Sequence, residues 1–401
     1  MEAFSCISNE QSEKILFEKS RLKMKKVYYI GWYISDSDKD KYSGTVAGNL
    51  KMHYVVDQLK ESGNTPEIIS FARSQTYRGF YLSKSKKSQD CQLRYLGGFS
   101  GYGRLGAKLD FIIKKVLFIF WLFFKVKSED TIVLYHSVSL TSLLTKIRKI
   151  VRRHVILEVE EVYGYAAQGD DKSSLEVEFK TIPLMDEYIL INDYLQKEFS
   201  LPKEKCVPCY GVVNIPQRHE GRFDDGKIHV VYAGTIEGRN LGASLAVETA
   251  VFLPNNYVTH ILGSGKKEHI DALLERIREI NELKGFETVI YHGFMSGEAL
   301  DNFLFKCHIG LSTYVQRDDF ANNSLPSKVI TYMCHDLAVV RGTASAFKMM
   351  DISKYWTLYS TGTPEDVAKT VASAMIPKFG EHAQYLLECN NKFVSFLSKY
   401  C

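Results

Sequence analysis

The chain reads as an α/β protein built on two doubly wound parallel sheets, and three observations lead there. Short apolar runs alternate with helical stretches along most of its length. Glycines and polar loops recur at the carboxyl ends of those runs, and 401 residues exceed what one hydrophobic core usually organises. The alternation is cleanest from Ile228 onward, where residues 228–234, 258–263, 288–293 and 308–313 are predicted strands, apolar enough to be buried on both faces. Between them apolar residues return at helical spacing, as at Ile270, Leu273, Leu274, Ile277 and Ile280. Sheets of this kind bind ligands at the carboxyl ends of their strands. Gly234-Thr235, Gly263-Ser264-Gly265, Gly293 and the loop of residues 314–324 stand at those ends.

The next element is the most informative. Asn322-Asn323-Ser324-Leu325-Pro326-Ser327-Lys328 runs into a helical stretch, Val329-Ile330-Thr331-Tyr332-Met333, and then into a buried strand at 337–340. A helix that opens after a loop of small and amide residues presents backbone N–H groups to an anion, reinforced by the helix dipole. The order suits a nucleotide diphosphate, and it also suits an ordinary helix-to-strand connection.

The first half repeats the pattern less cleanly. Strands are predicted at 27–32, 67–71, 131–136, 155–160 and 187–191, with a helix from about 49 to 60, giving a second Rossmann-like sheet. Gly211, Pro216 and the charged stretch that follows mark an interdomain linker. After Pro377 a last helix carries Phe379, Tyr385, Leu386, Phe393 and Phe396 with no strand behind it, and is expected to return to the first domain. The resulting division is an N-terminal extension (1–24), a first domain (25–210), a linker (211–226), a second domain (227–376) and the returning helix (377–401).

Composition excludes several classes. The apolar fraction of 45% rules out disorder and collagen-like repeats, and a net charge of +4 gives no reason to propose a nucleic-acid partner. Eight cysteines lie scattered, and only Cys206-Val207-Pro208-Cys209 has close spacing; without a second Cys or His pair it reads as buried free thiols in a reducing cytoplasm. No secretory signal is visible among residues 1–26, so a cytoplasmic location is expected. No aspartate cluster has metal-ligand spacing, so no metal is expected. Residues 111–113 and 116–124 form an aromatic, apolar stretch interrupted by Lys114-Lys115, too short to span a bilayer. Beside it, Leu143, Leu144, Ile147, Ile150 and Val151 share a helical face whose remainder is basic. Core helices also look like this; the expectation is peripheral contact with the inner membrane leaflet.

In AGTIEGRNLG, ILGSG, YHGFMSGEAL and SLPSKVITYM, which follow one another between Ile228 and Val340, the chain resembles the GT-B glycosyltransferases and within them the retaining group called glycosyltransferase family 4. The resemblance implies GT-B architecture, two Rossmann-like domains with parallel sheets facing a central cleft. It places the acceptor on the first domain and a nucleotide sugar on the second, with no cofactor. By the same resemblance Thr235 stands at the family's diphosphate arginine, Arg239 near its lysine, and Gly263 and Gly265 at glycines that admit the nucleotide. The family's two glutamates fall near Asn323 and at Thr331, where neither acid is present; Asp318 or Asp319 is a weak substitute for the first. Gly44, with Gly48 second, matches a glycine turn near the donor phosphate. Glu161 and His136 are the acceptor-side candidates, although Glu158, Glu160 and Glu161 would equally suit pairing with Arg152 and Arg153, and a lone histidine at a strand end is more often structural. Arg239, Lys328 and the amides around Ser327 are expected to stabilise the leaving diphosphate. The implied activity is transfer of a hexosyl unit to a saccharide or polyprenyl-diphosphate-linked acceptor. A non-catalytic GT-B subunit and a sugar-nucleotide epimerase are the alternatives.

Overall fold

A computed structural model of the chain describes residues 25–88, 90–101, 103–150, 152–166, 171–237, 242–313, 322–323 and 325–400. Its first sheet contains β1 (Val27–Gly31), β2 (Glu67–Ser70), β3 (Lys84–Ser88), β4 (Cys91–Tyr95), β5 (Thr131–Tyr135), β6 (His154–Val159), β7 (Glu187–Leu190) and β8 (Cys206–Pro208). The spatial order is β8-β7-β6-β5-β1-β2-β4-β3, parallel throughout except for the edge pair β3 and β4. Every residue of β1 is buried, as a strand covered by helices on both sides requires.

The second sheet contains β9 (Ile228–Ala233), β10 (Tyr257–Leu262), β11 (Val289–Gly293), β12 (Ile309–Ser312), β13 (Ala338–Gly342) and β14 (Trp356–Tyr359). All of its pairs are parallel, in the order β11-β10-β9-β12-β13-β14. From β9 the chain winds outward one way through β10 and β11, then crosses over and winds the other way from β12. That reversal creates a crevice between β9 and β12. The first sheet reverses likewise between β1 and β5.

The helices used below are α1 (Val46–Glu61), α2 (Gly103–Lys125), α3 (Val138–Ile147), α4 (Lys172–Thr181), α5 (Gly242–Thr249), α6 (Lys267–Lys284), α7 (Gly297–Lys306), α8 (Ser327–Cys334), α9 (Pro364–Ser373) and α10 (Glu381–Leu397). Residues 209–227 carry no helix or strand and join the two sheets. The lysines that interrupt the apolar run do not break α2. Lys114 is fully buried, paired with Asp110 at 3.0 Å and donating to the carbonyls of Phe71 and Ala72.

α10 closes the molecule. Its Phe393, Phe396 and Leu397 enter the core around Tyr29, Tyr54 and Val55 of the first lobe, and its start is tied to the second lobe by Asp336. The Asp336 carboxylate accepts from the N–H groups of Gly380 (2.7 Å) and His382 (2.9 Å), satisfying donors that a helix leaves open at its first turn. No helix among the described residues is long and apolar enough to cross a membrane.

Candidate active site in the cleft

The two crevices open toward each other. Between them lies a cavity of about 760 Å³, lined on one side by residues at the carboxyl edge of the first sheet and on the other by those of the second. That size is in the range that encloses a small-molecule ligand.

The second-lobe wall is built around α8. Pro326 occupies the N-cap position, so the N–H groups of Ser327 and Lys328 have no carbonyl one turn behind them within the helix. Ser327, Lys328 and Thr331 all line the cavity; Thr331 Oγ1 donates to the Ser327 carbonyl at 3.2 Å. α8 is held in register by Tyr332, whose hydroxyl donates to Leu311 O (3.2 Å) and accepts from Ala233 N–H (2.8 Å), bridging β12 and β9. The Lys328 ammonium lies 4.1 Å from the centre of the Tyr232 ring, and a side chain at Gly234 would meet it at 2.9 Å. No carboxylate among the described residues lies within salt-bridge distance of it. Burial lowers its pKa to about 8, only partly opposed by Glu237. A half-desolvated cation beside helix amides is an arrangement suited to an anion.

Gly263 and Gly265 are required for a backbone reason. At φ +153° a Cβ on Gly263 would lie 1.8 Å from the Gly234 carbonyl oxygen, and one on Gly265 would lie 2.0 Å from that of Ile236. The two loops therefore pack main chain against main chain, with Ile236 and Gly265 forming an isolated parallel bridge. Gly263 lines the cavity and Gly265 does not. Thr235 is exposed on the same rim.

The first-lobe wall centres on Lys51 of α1. Its ammonium is buried, 3.1 Å from Glu160 Oε1, and donates to the Cys209 carbonyl at 2.7 Å. Burial opposes its charge, yet Cys209, Glu160 and Glu158 together hold its pKa above the usual lysine range. Glu158 is wholly buried and accepts from the Tyr29 hydroxyl at 2.7 Å; burial and the neighbouring Glu160 raise its pKa. Burial likewise raises Glu160, against the pull of Lys51. Glu161 stands at the exposed mouth of the cavity, its pKa raised by partial desolvation. Burial pushes the Cys209 thiol up to about 11, so it is protonated at neutral pH.

This architecture matches solved structures. An Anabaena HepE structure in complex with UDP superposes with a TM-score of 0.60 at 12% identity, covering 93% of this chain and 100% of that one. The lipopolysaccharide outer core galactosyltransferase WaaB, in its apo form, gives 0.61 at 15% identity, with 93% and 96% covered. An E. coli trehalose-6-phosphate structure bound with UDP-2-fluoro glucose gives 0.62 at 10% identity, with 93% and 99% covered. The fold is GT-B. No protein-family profile matches the chain, and no curated protein matches it by sequence.

Within this GT-B cleft the residues singled out from sequence divide three ways. Thr235, Gly263, Ser327, Lys328, Thr331 and Glu161 line the cavity. Gly44, Gly265, Asn323 and His136 are not among its lining residues. His136 is buried with both ring nitrogens hydrogen-bonded, Nδ1 to Thr141 Oγ1 and Nε2 to Glu178 Oε1 of α4, each at 2.8 Å. Gly48, second to Gly44, does line the cavity, because α1 starts at Val46 and carries its first turn to the cleft. Arg239, Asp318 and Asp319 lie outside the described residues. The strand-end acids do not pair with the arginines beside them: Arg153 donates to the carbonyls of Arg152 and Val126, while Glu160 takes Lys51. Lys51, Tyr135 and Tyr232 line the cavity without having been singled out from sequence. Lys51 lies on a helix rich in polar residues, where a lysine reads as solvated. Among the described residues no three His, Cys, Asp or Glu side chains are grouped to hold a metal ion.

Proposed function

We propose that this protein is a glycosyltransferase moving a hexosyl unit from a nucleotide-diphosphate sugar to a saccharide or lipid-linked acceptor. The carrying observation is the corner where Lys328, with no carboxylate of the described residues within salt-bridge distance, meets the first turn of α8 inside a cavity between two facing switch points. UDP and UDP-2-fluoro glucose, bound in two of the similar structures, are ligands of this chemistry. The motif order in the second half supports a retaining, family-4-type reaction.

In that reaction the bond from the sugar's anomeric carbon to the diphosphate oxygen breaks, and a bond from that carbon to the acceptor oxygen forms on the same face. The acceptor proton passes to a leaving phosphate oxygen. Lys328 and the amides of Ser327 and Lys328 meet the charge growing on the diphosphate, a task that requires neither a strong base nor a metal ion. Thr331 is proposed as a ribose partner and Glu161 as a partner of the acceptor hydroxyl, since both line the cavity. Arg239 is proposed as a further diphosphate ligand.

The test is acceptor-dependent release of free nucleoside diphosphate across a panel of nucleotide sugars. Donor binding without turnover on any acceptor would favour the second reading, a GT-B subunit that binds but does not transfer. The absence of a carboxylate at Asn323 and Thr331 motivates that alternative.

A further inference from the structure

A helix on the surface of a globular domain ordinarily turns polar residues to water, and α2 does the opposite. Its inner stripe, including Asp110, Lys114, Phe118 and Trp121, packs on the first sheet. Its outward face carries Leu105, Ile112, Val116, Phe120 and Phe124, exposed by 45% to 82%. At about 100° per residue these five fall within a sector of roughly 120°, and no charged residue of the helix enters that sector. Phe120 and Phe124 lie side by side with rings 6.4 Å apart and nearly parallel.

Charge is concentrated around this strip. Residues 103–153 contain eleven Lys and Arg against three Asp and Glu, a net of +8, while the whole chain carries only +4. Arg104, Lys108 and Lys115 follow one flank of the apolar sector, the side on which Lys115 reaches Ser139 of α3 at 3.4 Å. Beyond the far end of α2, Arg153 donates to the Val126 carbonyl at 2.7 Å, bringing exposed Lys149, Ile150 and Arg152 alongside. The one acid on α2, Asp110, is buried against Lys114.

We infer that this face docks on an anionic lipid bilayer, with α2 lying in the plane of the interface. An apolar face rimmed by cations is complementary to acyl chains beneath anionic headgroups. A nucleic acid would match the charge and leave the phenylalanines in water. A second copy would bring two strongly positive surfaces together. The docking itself does not depend on what the cleft binds; the corollary, that the acceptor is lipid-linked and enters from the membrane, rests on the transferase reading.

The test is co-sedimentation of the full-length protein with vesicles containing phosphatidylglycerol and with pure phosphatidylcholine vesicles. Wild type is compared with Phe120→Asp/Phe124→Asp and Lys108→Glu/Lys149→Glu. Wild type should partition at least tenfold more strongly onto the anionic vesicles, and both variants should lose that preference. The phenylalanine variant should keep the wild-type melting temperature and molecular mass. Folded wild type that ignores anionic vesicles overturns the proposal. A drop of several degrees in the variant's melting temperature, or a wild-type dimer that the substitution splits, overturns it too, by showing the face already covered by residues 1–24 or by a second copy. UDP binding measured on the same samples reports the cleft separately, so failure of one reading is distinguishable from failure of the other.

Discussion

Lys328 carries a positive charge at a position where burial works against it, and that conflict makes two measurable demands. Its pKa near 8 predicts that UDP affinity falls as pH rises from 7 to 9, by about tenfold if only the ammonium binds. Calorimetric titration across that range checks it; a flat profile would remove Lys328 from the site. The stability effect has the opposite sign. Because the folded pKa lies below the ordinary 10.5, the unfolded chain holds more protons between pH 8 and 10.5, and stability of the ligand-free protein should rise through that window. Lys328→Met should therefore stabilise the ligand-free protein at pH 7 by about 1–2 kcal/mol while weakening UDP binding at least tenfold. On the opposite wall, Lys51→Met leaves Glu158 and Glu160 buried without their cation. We predict a loss of about 3–5 kcal/mol in urea denaturation, largely recovered by adding Glu160→Gln.

Among the elements, the first five strands of the second sheet were legible to within a residue or two, because runs such as Ile228–Ala233 are apolar at nearly every position. Lys84–Ser88 and Cys91–Tyr95 were not. The first is polar throughout and is held as an edge strand by backbone pairing and by Lys86, which pairs with Asp38 and donates to Ser37, and the second gains its place from that partner and from β2. Trp356–Tyr359, the sixth strand of the second sheet, was missed as well; it is four residues long and has one sheet neighbour among the described strands. The interrupted apolar run became one helix because Lys114 finds a carboxylate and two carbonyls inside the fold, a compensation no local pattern announces. At this scale the cap on α10 is open to measurement. Asp336 adopts φ +53°, tolerated by Asp and Asn better than by Ala. Asp336→Asn should cost about 1 kcal/mol and Asp336→Ala about 2, read from thermal melts, and equal losses would assign the whole effect to the charge.

For the whole molecule, a ligand in the cleft would touch both lobes, since the cavity takes residues from both sheets. UDP at one hundred times its dissociation constant should add about 2.7 kcal/mol of stability and raise the melting temperature by a few degrees. A melting temperature indifferent to uridine, guanosine, adenosine, cytidine and thymidine diphosphates alike would defeat the transferase reading. Periodicity and loop chemistry by themselves determined that the chain is a doubly wound α/β protein and that a helix opens near Ser327 ahead of a buried strand, because both properties arise from neighbours within a few residues. Tertiary structure alone decided that Lys51 and Glu160 share the cleft, that His136 is spent on Thr141 and Glu178, and that the aromatic face of α2 is left in solvent. Those outcomes depend on which segments the sheets bring together, and a pairing such as that of Lys51 with Glu160 leaves no trace in local spacing.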